Sequence, residues 1–142
     1  MYAGTIKTAL STHPLTQQYF KGVKAADLPN RQHGIYVVNT QPKHQPGEHW
    51  VTVEYAPTFI YYFDPYGLPP HPNIWNQLKR TNRQISYASV RRQGHRKTCG
   101  LYCIYHTLTR CSDQHDMNVF NTNLDFNDRL VYQLVSHNFK LK

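Results

Sequence analysis

His49-Trp50-Val51-Thr52-Val53-Glu54-Tyr55-Ala56-Pro57-Thr58-Phe59-Ile60-Tyr61-Tyr62-Phe63-Asp64, residues 49–64, reads as a β-hairpin. Its first arm, 49–54, alternates faces, and its second, 59–64, is aromatic and β-branched, which suits a pleated, largely buried surface. Tyr55-Ala56-Pro57-Thr58 is the expected turn. A four-residue loop makes Glu54 face Phe59, Val51 face Tyr62 and His49 face Asp64. Opposed residues project to one face with Cβ atoms about 5 Å apart, so a carboxylate there reaches an imidazole nitrogen. A slip of one residue would put the two on opposite faces. Taken by itself, the pair reads equally well as a cross-strand salt bridge.

Cys99 changes that balance. It stands between the polar loop Gln93-Gly94-His95-Arg96-Lys97-Thr98 and a segment with apolar residues at Leu101, Ile104, Tyr105 and Leu108, the spacing of one buried helix face. Cys99 is therefore expected as the first residue of a helix. Unpaired N–H groups, the positive end of the macrodipole and the nearby cations Arg96 and Lys97 all favour a thiolate at such a place. Gly100 permits close approach of a substrate backbone. A lone free cysteine is more often a small core residue. With His49 and Asp64 it instead completes a nucleophile, base and orienter set. Gln93 offers a side-chain amide that, with the Cys99 backbone N–H, supplies the two donors an oxyanion needs.

Gly47-Glu48-His49-Trp50, Phe63-Asp64-Pro65-Tyr66-Gly67, Gln93-Gly94 and Cys99-Gly100-Leu101-Tyr102-Cys103 resemble, in that order, the active-site motifs of the adenovirus maturation proteases. Tyr19-Phe20-Lys21-Gly22 and Val37-Val38-Asn39-Thr40 look like the stretches ahead of that family's histidine, and the likeness runs over about residues 19–110. More distantly, the order His, acid, Gln, Cys is similar to the proteases that process SUMO and related ubiquitin-like proteins. The resemblance implies an α+β fold, a mixed sheet flanked by helices, with a papain-like cysteine protease core in rearranged chain order. It implies His49 as general base, Asp64 as orienter, Gln93 as oxyanion donor and Cys99 as nucleophile. Substrate contacts are implied at Gly47, Trp50 and Gly94, with a cleft narrow enough to prefer Gly near the scissile bond. Strand alternation alone points Trp50 away from His49, as a packing residue. Asp64 stands where most adenovirus enzymes have Glu, and the Gln-to-Cys spacing is one residue shorter, both nearer the SUMO-processing side. Adenovirus enzymes bind a basic viral peptide by a disulfide to a cysteine between the acid and the Gln. Residues 65–98 here hold no cysteine.

Composition bounds the alternatives. The 142 residues suit one domain spanning 1–142, with 39% hydrophobic and 13% aromatic content, eleven of the aromatics being Tyr, which describes a globular chain. No secretory signal opens the sequence and no apolar run is long enough to span a bilayer, so a soluble, intracellular monomer is expected, in the virion and host nucleus if viral. Three cysteines give no disulfide framework. Cys99, Cys103 and His106 lie on neighbouring turns but lack an evident fourth zinc ligand, so no metal is expected. The net charge of +8 is concentrated in Lys79, Arg80, Arg83, Arg91, Arg92, Arg96 and Lys97, a stretch with no acid. Such a block is either a solvated face or a non-specific DNA site acting through counterion release. The chemistry itself requires no cofactor; DNA and a viral peptide are the expected activators.

The remaining pattern predicts helices over 5–11 and 15–20 broken at Pro14, a strand over 34–39, and a rigid turn at Pro69-Pro70-His71-Pro72 leading into a helix over 73–78. A strand over 85–90 follows. A last helix, capped by Asn127 or Asp128, buries Leu130, Val131, Leu134 and Val135 and ends before Phe139. Three functions are in play. The first is an endopeptidase trimming viral capsid and core precursors at Gly-containing sites; the second is a deconjugating isopeptidase acting after Gly-Gly tails. The third is a basic nucleic-acid-binding domain with an incidental Cys and His.

Overall fold

The computed structural model describes residues 1–26, 33–41, 49–94, 97–139 and 141. Five strands form one mixed sheet in sequence order: β1 (Phe20–Lys24), β2 (Gly34–Asn39), β3 (Trp50–Tyr55), β4 (Phe59–Phe63) and β5 (Gln84–Tyr87). The central pairings, β2 with β3 and β3 with β4, are antiparallel, and both edge strands pair in parallel. Four helices complete the α+β architecture: α1 (Ala3–Thr12), α2 (Pro72–Lys79), α3 (Cys99–Cys111) and α4 (Leu124–Asn138).

Strand alternation divides the core in two. Tyr36, Val38, Val51, Val53, Tyr55, Ile60 and Tyr62 meet Ile74 and Leu78 of α2 on one face. Val37 and Phe63 turn to the other face, against α1, α3 and α4. All four apolar positions expected to bury one side of α3 are buried: Leu101, Ile104, Tyr105 and Leu108. At the far end of α3, Arg110 grips Glu54 of β3 with Nε at 2.7 Å and Nη2 at 3.3 Å from its two carboxylate oxygens. The helix therefore runs alongside β3 with Cys99 at the end of the sheet where β3 begins and β4 finishes.

The hairpin differs from expectation in register. Thr52 faces Phe63 and Tyr55 faces Ile60, two residues along from the expected pairing. The cause is a tighter turn: Ala56 N–H donates to Phe59 O at 2.9 Å, which leaves only Pro57-Thr58 as the loop. An even shift preserves the face of every side chain, so the consequence for the site is small.

Two helix assignments also change. Residues 15–20 form turns rather than a helix, and Phe20 opens β1, whose parallel pairing with β2 is a long-range contact that local propensity does not reveal. The last helix starts earlier, because the Asn123 side chain accepts Phe126 N–H and caps it. Asn127 and Asp128 lie inside the helix and are buried. Val131 and Val135 are fully buried, whereas Leu130 and Leu134 are half-buried on the same core.

Candidate active site

His49 and Asp64 sit just outside the ends of β3 and β4, at the open end of the hairpin. His49 Nε2 lies 2.7 Å from Asp64 Oδ1. With the observed register continued, His49 stands opposite Tyr66, and the two rings stack with centroids 4.8 Å apart at 20°. Tyr66 N–H also donates to Asp64 Oδ1, at 2.8 Å. The Asp64 carboxylate is therefore fixed by its own turn as well as by the imidazole.

Cys99 opens α3 and is coupled electrostatically to His49. Burial alone would raise its thiol, but the His49 hydrogen bond, the Trp50 and Gly100 N–H groups and the imidazolium charge together hold it below the ordinary value. Burial alone would likewise lower His49, yet its bonds to Asp64 and Cys99 and their negative charges raise it to about 9. The two shifts run in the direction of a thiolate and imidazolium pair, the form in which such a nucleophile reacts. The other two cysteines are set apart from it. Burial pushes Cys103 well above the usual range and Cys111 to about 11. Iodoacetamide at pH 6 should therefore label Cys99 well ahead of Cys103 and Cys111 in peptide mass spectra. Equal labelling of all three would count against activation.

Gln93 is buried, and both sides of its peptide are held. Its N–H donates to Pro65 O at 3.0 Å, and its carbonyl accepts Arg91 Nε at 2.7 Å. Arg91 Nη2 reaches Gly94 O at 3.3 Å, and its guanidinium lies 5.1 Å from the Tyr66 ring centroid. Arg91, a member of the basic block, thus spans the base side of the site and the Gln93 loop. Gly94 gives its N–H to Asp128. Lys79, Arg80 and Lys97 are exposed; Arg83 is half-buried over Tyr55, and Arg92 is half-buried. Gly47 and Arg96 lie outside the described residues. Trp50 packs on the α3 side of the sheet, and its indole N–H donates to Met1 O at 3.1 Å. Among the described residues no three His, Cys, Asp or Glu side chains gather as a metal site requires, and no helix is long and apolar enough to cross a membrane.

Gly67 joins the two loops that carry Asp64 and Gln93. It adopts φ +71°, and a Cβ there would stand 2.7 Å from Arg91 N and from Val90 C, both immobile backbone. Gly67→Ala is expected to destabilise the fold by about 1–3 kcal/mol, the usual cost of backbone strain. Because the displaced segment at Val90 and Arg91 leads into Gln93, hydrolysis of a Gly-Gly peptide should also fall by at least about tenfold, as small misplacements in a site do. An unchanged thermal midpoint would show that the two loops separate without strain.

The sequence pattern did not single out Met1, Tyr66 or Asp128 for the site. Asp128 was hidden by its resemblance to a helix cap, and Tyr66 by lying outside the strands whose pairing was legible.

No protein-family model matches this sequence, and no curated protein matches it. Among solved structures the chain is similar to the ASFV pS273R protease, crystallised in its selenomethionine form, at 20% identity with a TM-score of 0.49. The match covers 76% of this chain and 45% of that one, so the chain spans less than half the length of that protease. Similarity at this level identifies neither an activity nor a substrate; the chemistry follows from the site geometry.

Proposed function

We propose that this chain is a cysteine endopeptidase that cleaves precursor proteins at Gly-containing sites, in the manner of a viral maturation protease. The observation that carries the proposal is the His49 imidazole, held by Asp64 at 2.7 Å, beside Cys99 at the first residue of α3, whose thiol it lowers. In this reading the Cys99 thiolate attacks the scissile carbonyl carbon, and the developing oxyanion is met by the Cys99 N–H and the Gln93 amide. The His49 imidazolium gives its proton to the leaving amine, which departs and leaves a thioester. Water, deprotonated by His49, then attacks the thioester and returns Cys99 to the thiolate. Incubation with a Gly-Gly peptide panel and with candidate capsid and core precursors tests this. Cleavage confined to a ubiquitin-like C-terminal conjugate, with trapping by its aldehyde, would instead favour deconjugation.

Exposed Lys79, Arg80 and Lys97 support a second element of the proposal, non-specific tethering to DNA where precursors are concentrated. Arg91 is a poor probe of it, since its guanidinium holds the Gln93 loop. Lys79→Ala with Arg80→Ala should shallow the salt dependence of DNA binding by roughly two contacts. Unchanged low-salt affinity would make this a solvated face.

A further inference from the structure

Asp128 is 2% exposed, inside α4, and a single carboxylate oxygen accepts three hydrogen bonds from the far side of the site. Gly94 N–H reaches Oδ1 at 3.0 Å, the Thr98 hydroxyl at 3.1 Å and the Tyr102 hydroxyl at 2.8 Å. The first two donors flank the loop between Gln93 and Cys99, and the third lies one turn into the nucleophile helix. A neighbour on α4 reinforces the clamp: Asn127 Nδ2 donates to Arg92 O at 3.0 Å. A Cβ at Gly94 would stand 2.8 Å from Asp128 Oδ2, so loop and carboxylate are in direct contact.

The Thr98 bond has a particular consequence. Thr98 occupies the N-cap position of α3, where a threonine hydroxyl ordinarily takes a first-turn N–H. Here the helix has no side-chain cap hydrogen bond, and the hydroxyl is turned to Asp128. Asp128 therefore holds the residue next to Cys99 through a hydroxyl that would otherwise cap the second or third N–H of the helix.

We infer that Asp128 is a positioning residue for the oxyanion site, holding Gly94 and Thr98, and with them the neighbouring Gln93 and Cys99, in their productive placement. The inference rests on the protease reading and adds to it a residue from the last helix, 29 positions beyond the nucleophile. Asp128 touches no reacting atom; it acts through Gly94 and Thr98.

A peptide aldehyde ending in Gly separates positioning from simple stability, because its adduct with Cys99 carries an oxyanion-like oxygen, whereas alkylation by iodoacetamide needs no oxyanion donor. In folded Asp128→Asn and Asp128→Ala, aldehyde affinity and kcat should fall by about 10- to 1000-fold, the range for a lost oxyanion donor. KM and the pH dependence of Cys99 alkylation should stay within about twofold of the parent. Tyr102→Phe supplies the stability control. It removes one bond to the same oxygen and a 3.0 Å contact with Arg92 O but leaves both loop donors, so its thermal midpoint should drop while aldehyde affinity falls far less than in the Asp128 variants. If Asp128→Ala does not fold, Asp128→Asn and Thr98→Val carry the test, the latter with the same selective loss of aldehyde affinity. Parental aldehyde affinity in both Asp128→Asn and Thr98→Val overturns the inference. So does an equal loss of aldehyde binding and alkylation. A parent protein that neither cleaves Gly-Gly peptides nor traps the aldehyde overturns the protease reading, and the inference with it, before any variant is compared.

Discussion

Cys99→Ala is expected to abolish peptide hydrolysis while leaving the fold intact. The side chain is half-buried at the first residue of α3, so truncation to Cβ removes one sulfur and little packing, and helix formation is not impaired by Ala. What is lost is the only thiol held below its ordinary range, and removal of a nucleophile from such a site costs of order 10⁵-fold or more. His49→Ala should be comparably severe, because without the imidazole burial alone returns Cys99 to the thiol. Asp64→Asn should lose less, roughly 10²- to 10⁴-fold, the range for a carboxylate that orients a base. Circular dichroism and thermal midpoints establish that each variant is folded. Turnover of a Gly-Gly peptide by folded Cys99→Ala would end the assignment.

The second large effect is on stability in acid, and it comes from His106. Its ring lies flat against Phe63, centroids 4.2 Å apart at 5°, with Tyr61 stacked 5.8 Å away. Neither ring nitrogen has a hydrogen-bond partner among the described residues. Burial, and then the Arg110 charge, lower its pKa to about 3. An unfolded chain takes up this proton near pH 6.5, so the stabilisation is fully present above that pH and is lost as pH falls towards 3. The loss is about 1.4 kcal/mol per pH unit within that window. Between pH 6.5 and 5 the midpoint should therefore drop by roughly 6 °C. His106→Phe should remove most of this slope.

The measurement belongs in Cys99→Ala protein. In the parent, His49 gains the proton that Cys99 gives up, so near neutrality the pair holds as many protons as an ordinary thiol and imidazole. The lowered Cys99 adds a pH dependence of its own to the stability of the parent. Removing the thiol takes this coupled pair apart, and the part of the slope that His106→Phe abolishes belongs to His106. An acid slope unchanged by His106→Phe would show that the ring is protonated in the folded protein.

Elements built from local periodicity were legible in the sequence. The α3 pattern fixed both its buried face and the place of Cys99, since 3.6-residue spacing needs no distant partner. The face shared by His49 and Asp64 was legible although their register was not, because a turn shorter by two residues shifts partners without changing parity. Features that depend on distant chain were not. Phe20–Lys24 became a strand only through β2, and Asp128 looks in sequence like one of several caps near the start of α4. Arg91 looked like a free cation among others, but two backbone carbonyls and the Tyr66 ring claim its guanidinium. The site is thus local in its nucleophile and hairpin, and non-local in the groups that hold the loop between them.

The Met1 carbonyl that receives the Trp50 indole has a practical consequence for handling the protein. Met1 also packs over the N-terminus of α3: a Cβ on Gly100 would stand 2.9 Å from its sulfur. Residues joined ahead of Met1, an affinity tag included, leave the molecule beside the N-terminus of α3, so activity is best compared between tagged protein and protein that starts at Met1.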